Sequence, residues 1–231
     1  MSSNTKTLSV QHIPGVPKDV AAIRQRITAF LDTVGDNGIK IGNSKWGVYA
    51  FYDYDSEPIY VGQTNESLRV RIRRHLTNHR TDAVAMNVLD PFEVKEIEVW
   101  PLWDLQNEKS ASALLCAAEY AVYARVLKQS MFNAVLNEKV IAAPSVRFKL
   151  PRSFRESIIP AELIEERSHP DIRLARRATT IAALAKVICE RKVSKGLRRT
   201  LTVQAKRLEW LASERFKQLV GSGLSDNDDE D

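Results

Sequence analysis

The sequence predicts an α+β fold, with a small three-stranded sheet flanked by helices, one helix ahead of it and a basic helical extension behind it. Three observations predict this. Two short runs rich in β-branched and aromatic residues lie on either side of a turn-forming stretch at 53–58. A third run of the same character follows at 92–100. Elsewhere, apolar residues recur every three or four positions, the signature of helices with one buried face.

Taken in order, the first dozen residues are polar and read as disordered. Pro17 opens a helix over 18–31, with Val20, Ile23, Ile27, Phe30 and Leu31 at helical spacing, and Gly35-Asp36-Asn37-Gly38 marks its end. Val48, Phe51, Tyr52 and Tyr54 form the first strand. Residues 59–61 form the second, so the pair is a hairpin. Ser67 is placed to N-cap a helix carrying Leu68, Ile72 and Leu76 on one face. Residues 78–90 are a polar connection. Val94, Ile97 and Val99 define the third strand, with a bulge expected at Lys95-Glu96, and Pro101 closes it. Residues 109–129 form the strongest helix, through Leu114, Leu115, Ala118, Val122, Val126 and Leu127. After Asn133 and a turn at 142–144, two helical stripes follow. Ile181, Leu184, Ala185 and Ile188 make one; Leu197, Leu201, Leu208, Leu211 and Leu219 make the other, with a break near Gly196. The tail at 222–231 carries five acids and reads as disordered.

At 231 residues the chain suits one domain with an extension, or two small domains, and 44% hydrophobic residues suffice for a core. No apolar run approaches the ~20 residues of a membrane span, and the N-terminus lacks the pattern of a signal peptide. A cytoplasmic protein without a membrane partner is expected. Cys116 and Cys189 each lie in an apolar helical pattern and read as reduced core thiols. Nothing supplies the four close ligands of a structural zinc site. Charge is uneven: residues 1–144 hold 16 basic and 16 acidic side chains, whereas residues 145–221 hold 18 and 8. Such an excess suggests a surface for a polyanion, most commonly nucleic acid.

Two tripeptides stand out, Gly47-Val48-Tyr49 and Tyr60-Val61-Gly62, on the two strands of the hairpin. Leu68-x-x-Arg71-x-x-x-His75 comes next, then Glu119 within an apolar helix, then Phe132-Asn133. These five elements in this order resemble the GIY-YIG nuclease superfamily over about residues 46–137. The resemblance implies a three-stranded mixed sheet and hydrolysis of DNA phosphodiester bonds.

That reaction needs an activated water, neutralisation of a pentavalent phosphorus and help for the leaving 3′ oxygen. Glu119 is the natural metal ligand: one carboxylate suits Mg²⁺, with Mn²⁺ as a substitute, because Mg²⁺ keeps several waters and takes phosphate oxygens as further ligands. Arg71 holds its charge and can grip phosphate through two hydrogen bonds. Tyr49 is the first candidate for general base and Tyr60 the second; a tyrosine near pKa 10 needs positive charge beside it for that task. His75 lies one turn after Arg71, and the resemblance places it near the attacking water. It also places Asn133 as a brace for the site. The pair His75-x-x-x-His79 lacks a third metal ligand. Valine replaces isoleucine in both tripeptides, and Gln63 stands where some relatives carry lysine; His75 then takes a larger share of proton transfer.

The remaining chain divides into a tail and helix (1–45), the nuclease module (46–144), a basic helical extension for DNA binding or dimerisation (145–221) and the acidic tail (222–231). Arg69, Arg73, Arg74, Arg147, Lys149, Arg152, Arg198 and Arg199 are candidate DNA contacts, and Arg155, Arg173, Arg176, Arg177, Arg191, Lys192 and Lys195 add to the same basic region. The loop 78–87 or a helix would read bases. The expected function is restriction-type cleavage of double-stranded DNA, through a homodimer or transient pairing because both strands must be cut. Homing-type and repair-type nucleases share the chemistry, and a non-catalytic nucleic-acid-binding protein is the competing class.

Overall fold

The computed structural model describes residues 17–76 and 89–221. The expectations for the N-terminal stretch, the loop at 78–87, His79 and the acidic tail concern residues outside this range. The first helix, α1 (Lys18–Leu31), has the bounds read from sequence and buries Ile27, Phe30 and Leu31. Each such side chain contributes about 1.5–3 kcal/mol relative to exposure.

The hairpin forms as expected from β1 (Gly47–Tyr52) and β2 (Pro58–Thr64). Its register shifts between Phe51 and Tyr52, so Phe51 faces Tyr60 and Tyr52 faces Pro58. The third strand pairs with β1 without a break from Glu96 to Pro101, so the bulge expected at Lys95-Glu96 is not part of that ladder. Ser56 turns the chain with a left-handed φ of 59°, and Asp53 Oδ1 accepts hydrogen bonds from the amides of Asp55 (2.9 Å) and Glu57 (3.0 Å). All six residues of β1 are buried, because both of its faces are covered. Tyr49 and Phe51 enter one core with α1, α2 (Leu68–Leu76) and the C-terminal helices; Val48, Ala50 and Tyr52 enter another with α3 (Ala111–Gln129).

The sheet has four strands, not three, and is antiparallel throughout rather than mixed, in the order β2-β1-β3-β4. The third strand, β3 (Glu96–Pro101), starts later than its apolar run, because Pro91–Glu93 forms a 3₁₀ turn whose Phe92 amide donates to the Asp90 side chain. The added strand, β4 (Phe154–Ser157), pairs with β3 and comes from the segment assigned to the extension. Helices α4 (Ala161–Ser168), α5 (Pro170–Glu190) and α6 (Lys195–Gly221) follow. Ile158, Leu184, Leu197 and Val203 share the core of Tyr49 and Phe51, so the C-terminal helices and the sheet have a common interior.

Part of the basic excess lies in that interior. Arg173 and Arg177 are 3% exposed and Arg207 is 2% exposed. Arg173 donates to both carboxylate oxygens of Asp55 at 3.0 and 2.6 Å. Arg177 donates to Asp53 Oδ2 at 3.0 Å and to Glu93 Oε2 at 3.1 Å, and Arg207 also donates to Asp53 Oδ2. These arginines tie α5 and α6 to the hairpin turn. They are not a DNA surface. Cys116 and Cys189 are free and exposed rather than core residues.

Candidate active site

Both motif glycines answer to close approaches. A Cβ on Gly47 would lie 2.7 Å from Leu68 Cδ2, so glycine lets the first turn of α2 rest on β1. A Cβ on Gly62 would collide with the hydroxyl and Cζ of Tyr49 and crowd Tyr60 at 2.9 Å. Tyr49 pairs with Gly62 across the hairpin, and the missing side chain lets the phenol lie over β2.

Four of the expected residues meet there. Tyr49 Oη accepts a hydrogen bond from Arg71 Nε at 3.3 Å. The ring of His75 lies 5.7 Å from that of Tyr49 and 5.3 Å from that of Tyr60, and the tyrosine rings are 6.2 Å apart. Helical spacing of four brings Arg71 and His75 to one side of α2. The Nη groups of Arg71 make no hydrogen bond among the described residues, and the side chain is only half-buried, so its fork remains available to an anion.

Glu119 comes from α3 and is the fifth member. It makes no hydrogen bond or ion pair among the described residues; burial raises its pKa to about 7, and the charge of Arg71 offsets only part of this. A carboxylate that is desolvated and left without a partner is a suitable place for a cation. No group of three or more His, Cys, Asp or Glu side chains is arranged for a metal among the described residues. The donor set is therefore one carboxylate, which fits an ion that retains water and takes phosphate oxygens.

The shift has a consequence for stability without metal. An unfolded Glu119 ionises near 4.5, a folded one near 7. Between these values the unfolded state loses its proton first, so stability falls as pH rises and the loss is complete above about 7. Glu119→Gln, which cannot ionise, is expected to stabilise the protein at pH 8 by about 1–2 kcal/mol after allowance for solvent screening, with the gain shrinking toward pH 5. Urea unfolding in a chelator at both pH values measures this; an equal change at both would contradict it.

Burial pushes the Tyr49 hydroxyl well above the ordinary tyrosine range, with Tyr60 and Glu119 adding to the shift and Arg71 opposing it. Tyr49 therefore rests in its protonated form.

Asn133 is not brought to the site. It is exposed in the turn after α3, with a left-handed φ of 48°. The brace is Asn137, four residues later and buried: its Oδ1 accepts from the amide of Val61 at 3.0 Å and its Nδ2 donates to the Val61 carbonyl at 2.6 Å. Leu136 adds a bond from its amide to the Ile59 carbonyl at 2.8 Å, so 136–137 run along the free edge of β2. Sequence spacing around Phe132-Asn133 left no sign of this.

Several candidate DNA contacts are engaged within the fold. Arg69 Nη2 donates to the Leu31 carbonyl (3.0 Å) and to Asp32 (2.5 Å), closing the end of α1. Arg73 donates to Thr28 Oγ1 at 2.9 Å, and Arg74 to both oxygens of Glu66, one at 2.9 Å. Arg152 pairs with Asp36 at 3.2 Å in full view of solvent. Arg155 lies 3.6 Å over the ring of Tyr52 and pairs with Glu96. Arg199 donates to the carbonyl of Asn137 at 2.9 Å. Arg147, Lys149 and Arg198 are exposed and in no ion pair among the described residues. No helix among the described residues is long and apolar enough to cross a membrane.

Searches among curated proteins and solved structures gave no match to the chain. A family model does match, over residues 45–111, which include Tyr49, Tyr60, Arg71 and His75 and end before Glu119 and Asn137. The matched family is the GIY-YIG catalytic domain, a nuclease domain family, and the match supports the GIY-YIG superfamily for this segment of the chain.

Proposed function

We propose that the chain is a Mg²⁺-dependent endonuclease that cleaves double-stranded DNA in restriction fashion. The observation that carries the chemistry is the meeting of Arg71 and the Tyr49 hydroxyl over Gly62, within the electrostatic reach of the unpartnered Glu119.

In this reading Glu119 holds Mg²⁺, or Mn²⁺ in its place, which when bound adds positive charge beside the scissile phosphate and lowers the pKa of nearby hydroxyls. The Nη groups of Arg71 grip the phosphate and stabilise the charge that grows on its oxygens during attack. Tyr49 orients the attacking water and is the first choice to accept its proton. A hydroxyl raised by burial fills that role only where cationic neighbours bring it down, and Arg71 is the neighbour in contact with it. Tyr60 and His75, whose rings lie 5.3 Å apart, flank Tyr49 and are the groups to which the proton would pass on. Asn137 fixes the β2 backbone one residue before Gly62 and so keeps this register.

Cutting both strands requires two sites, so two chains would act together on one duplex. Incubation with plasmid DNA and Mg²⁺, followed by sequencing of the new ends, tests the biological role. Paired ends at a recurrent sequence support restriction-type cleavage. Unpaired or structure-directed cuts point to a repair-type enzyme, and a single long site to a homing-type one. Tight binding without any cleavage would point to the non-catalytic reading.

A further inference from the structure

We propose that the segment from Arg191 to Arg198, the connection into α6 with the first turn of that helix, is the clamp that holds the phosphate backbone of DNA beside the active site. The proposal rests on the nuclease reading only for the identity of the polyanion. Two independent observations carry it.

One is electrostatic. The buried arginines of α5 and α6 are neutralised by Asp53, Asp55 and Glu93. Arg69, Arg74 and Arg152 have their own acids. Arg191, Lys192, Lys195 and Arg198 are all exposed, and none is in an ion pair among the described residues. Of the acids nearest to them in sequence and contact, Glu190 pairs with Lys186, and Glu138 lies at the segment itself, where it accepts from the Ser194 hydroxyl at 2.9 Å. Four cations within eight residues, none in an ion pair among the described residues and with Glu138 as the one acid bonded to the segment there, leave a positive excess suited to a line of phosphates.

The other is positional. The segment is fastened to the catalytic strand. Arg199 Nη2 donates to the Asn137 carbonyl, Ser194 donates to Glu138, and Gly196 lies so close to the Glu138 carbonyl that a Cβ would overlap it. Asn137 in turn grips Val61, next to Gly62. Val193, Leu197 and Leu201 belong to the same core cluster as Tyr49 and Tyr60. The cations thus lie on the tyrosine side of the sheet, on the β2 side of the site. Arg147 and Lys149 lack this placement, because their neighbours Phe148 and Leu150 pack into the core cluster of the other sheet face, with α3. Arg199 positions the segment through the Asn137 carbonyl.

The test is binding of a fluorescein-labelled duplex by the full chain in a chelator, read by anisotropy over a series of salt concentrations. Replacing Arg191, Lys192, Lys195 and Arg198 by alanine is expected to weaken binding at least tenfold near 100 mM salt and to lower the slope of log K against log salt by up to about 3.6, at roughly 0.9 for each phosphate no longer neutralised. Arg147→Ala with Lys149→Ala should change Kd by less than about threefold. The single reversal Lys195→Glu, at an exposed position where folding is not at stake, should weaken binding more than Lys149→Glu. An unchanged slope in the fourfold variant, or a larger loss from Arg147 and Lys149, would overturn the proposal. Because no cleavage is measured, failure of the nuclease reading shows separately, as normal binding by a wild type that does not cut.

Discussion

Asp53→Ala is expected to destabilise the protein by about 3–5 kcal/mol, a large share of the stability of an ordinary domain. The carboxylate is 1% exposed and accepts bonds from Arg177 and Arg207 through one oxygen, and from two turn amides through the other. Removing it leaves two buried guanidinium groups short of charge and opens the turn between β1 and β2. The desolvation of those arginines is not recovered elsewhere, and that dominates the effect. Removing a stranded cation together with the carboxylate should therefore restore part of the loss. Asp53→Ala with Arg207→Leu is expected to be more stable than the sum of the two single changes allows, by about 1–3 kcal/mol. Urea unfolding of the four proteins forms the cycle. A cost below about 1 kcal/mol for Asp53→Ala would mean that the ion cluster does not hold the helices to the hairpin.

Arg71→Ala is expected to lower the rate of cleavage about 10²–10³-fold, with Kd for DNA within a few-fold of wild type. The side chain contacts Tyr49 with one nitrogen and leaves its fork open, so it is placed to act on charge that develops during attack rather than to supply affinity. Arg71→Lys keeps the charge but not the two-pronged geometry and should recover only part of the rate. Single-turnover rates at saturating DNA, with anisotropy for Kd, separate the two quantities. Parallel loss of binding and rate would mean that the DNA surface is centred on α2.

Much of the nuclease half was legible because its signals are local. The bounds of α1 follow from five apolar residues ahead of a glycine-rich turn. The hairpin follows from two β-rich runs around residues 53–58, and α2 follows from Leu68, Ile72 and Leu76. The pairing of Tyr49 with Gly62 and the contact of Arg71 with Tyr49 come from the hairpin register and the seat of α2, which motif order alone does not fix. What stayed hidden depends on partners far along the chain. Phe154-Arg155-Glu156-Ser157 has no apolar alternation, since an edge strand with one covered face needs little, and only its pairing with β3 makes it a strand. The arginines at 173, 177 and 207 look like any cationic helix face until Asp53, Asp55 and Glu93 are placed opposite them. The motif order points to Asn133 alone; only the course of the chain along β2 shows that Asn137 is the asparagine bonded to Val61. Helix α3 is apolar on most sides, so its sequence suggests a buried Cys116, although the thiol is exposed.

The separation between fold and chemistry has a practical use. The buried arginines can be changed only at the expense of stability, whereas Arg71 and the cations at 191–198, to which the proposals assign function, are half-buried or exposed. Glu119 belongs to the second kind. Its carboxylate is raised in pKa by burial and has no hydrogen bond or ion pair among the described residues, which is what the proposed metal role draws on.

Cleavage of supercoiled plasmid by wild type and by Glu119→Gln, in matched buffers with Mg²⁺ or chelator and with DNA binding checked in parallel, tests the central claim most directly. Wild type should nick or linearise the plasmid only with Mg²⁺, and Glu119→Gln should bind DNA normally while cutting at least about 10³-fold more slowly. Equal cleavage by both proteins, or no cleavage by either, would contradict it.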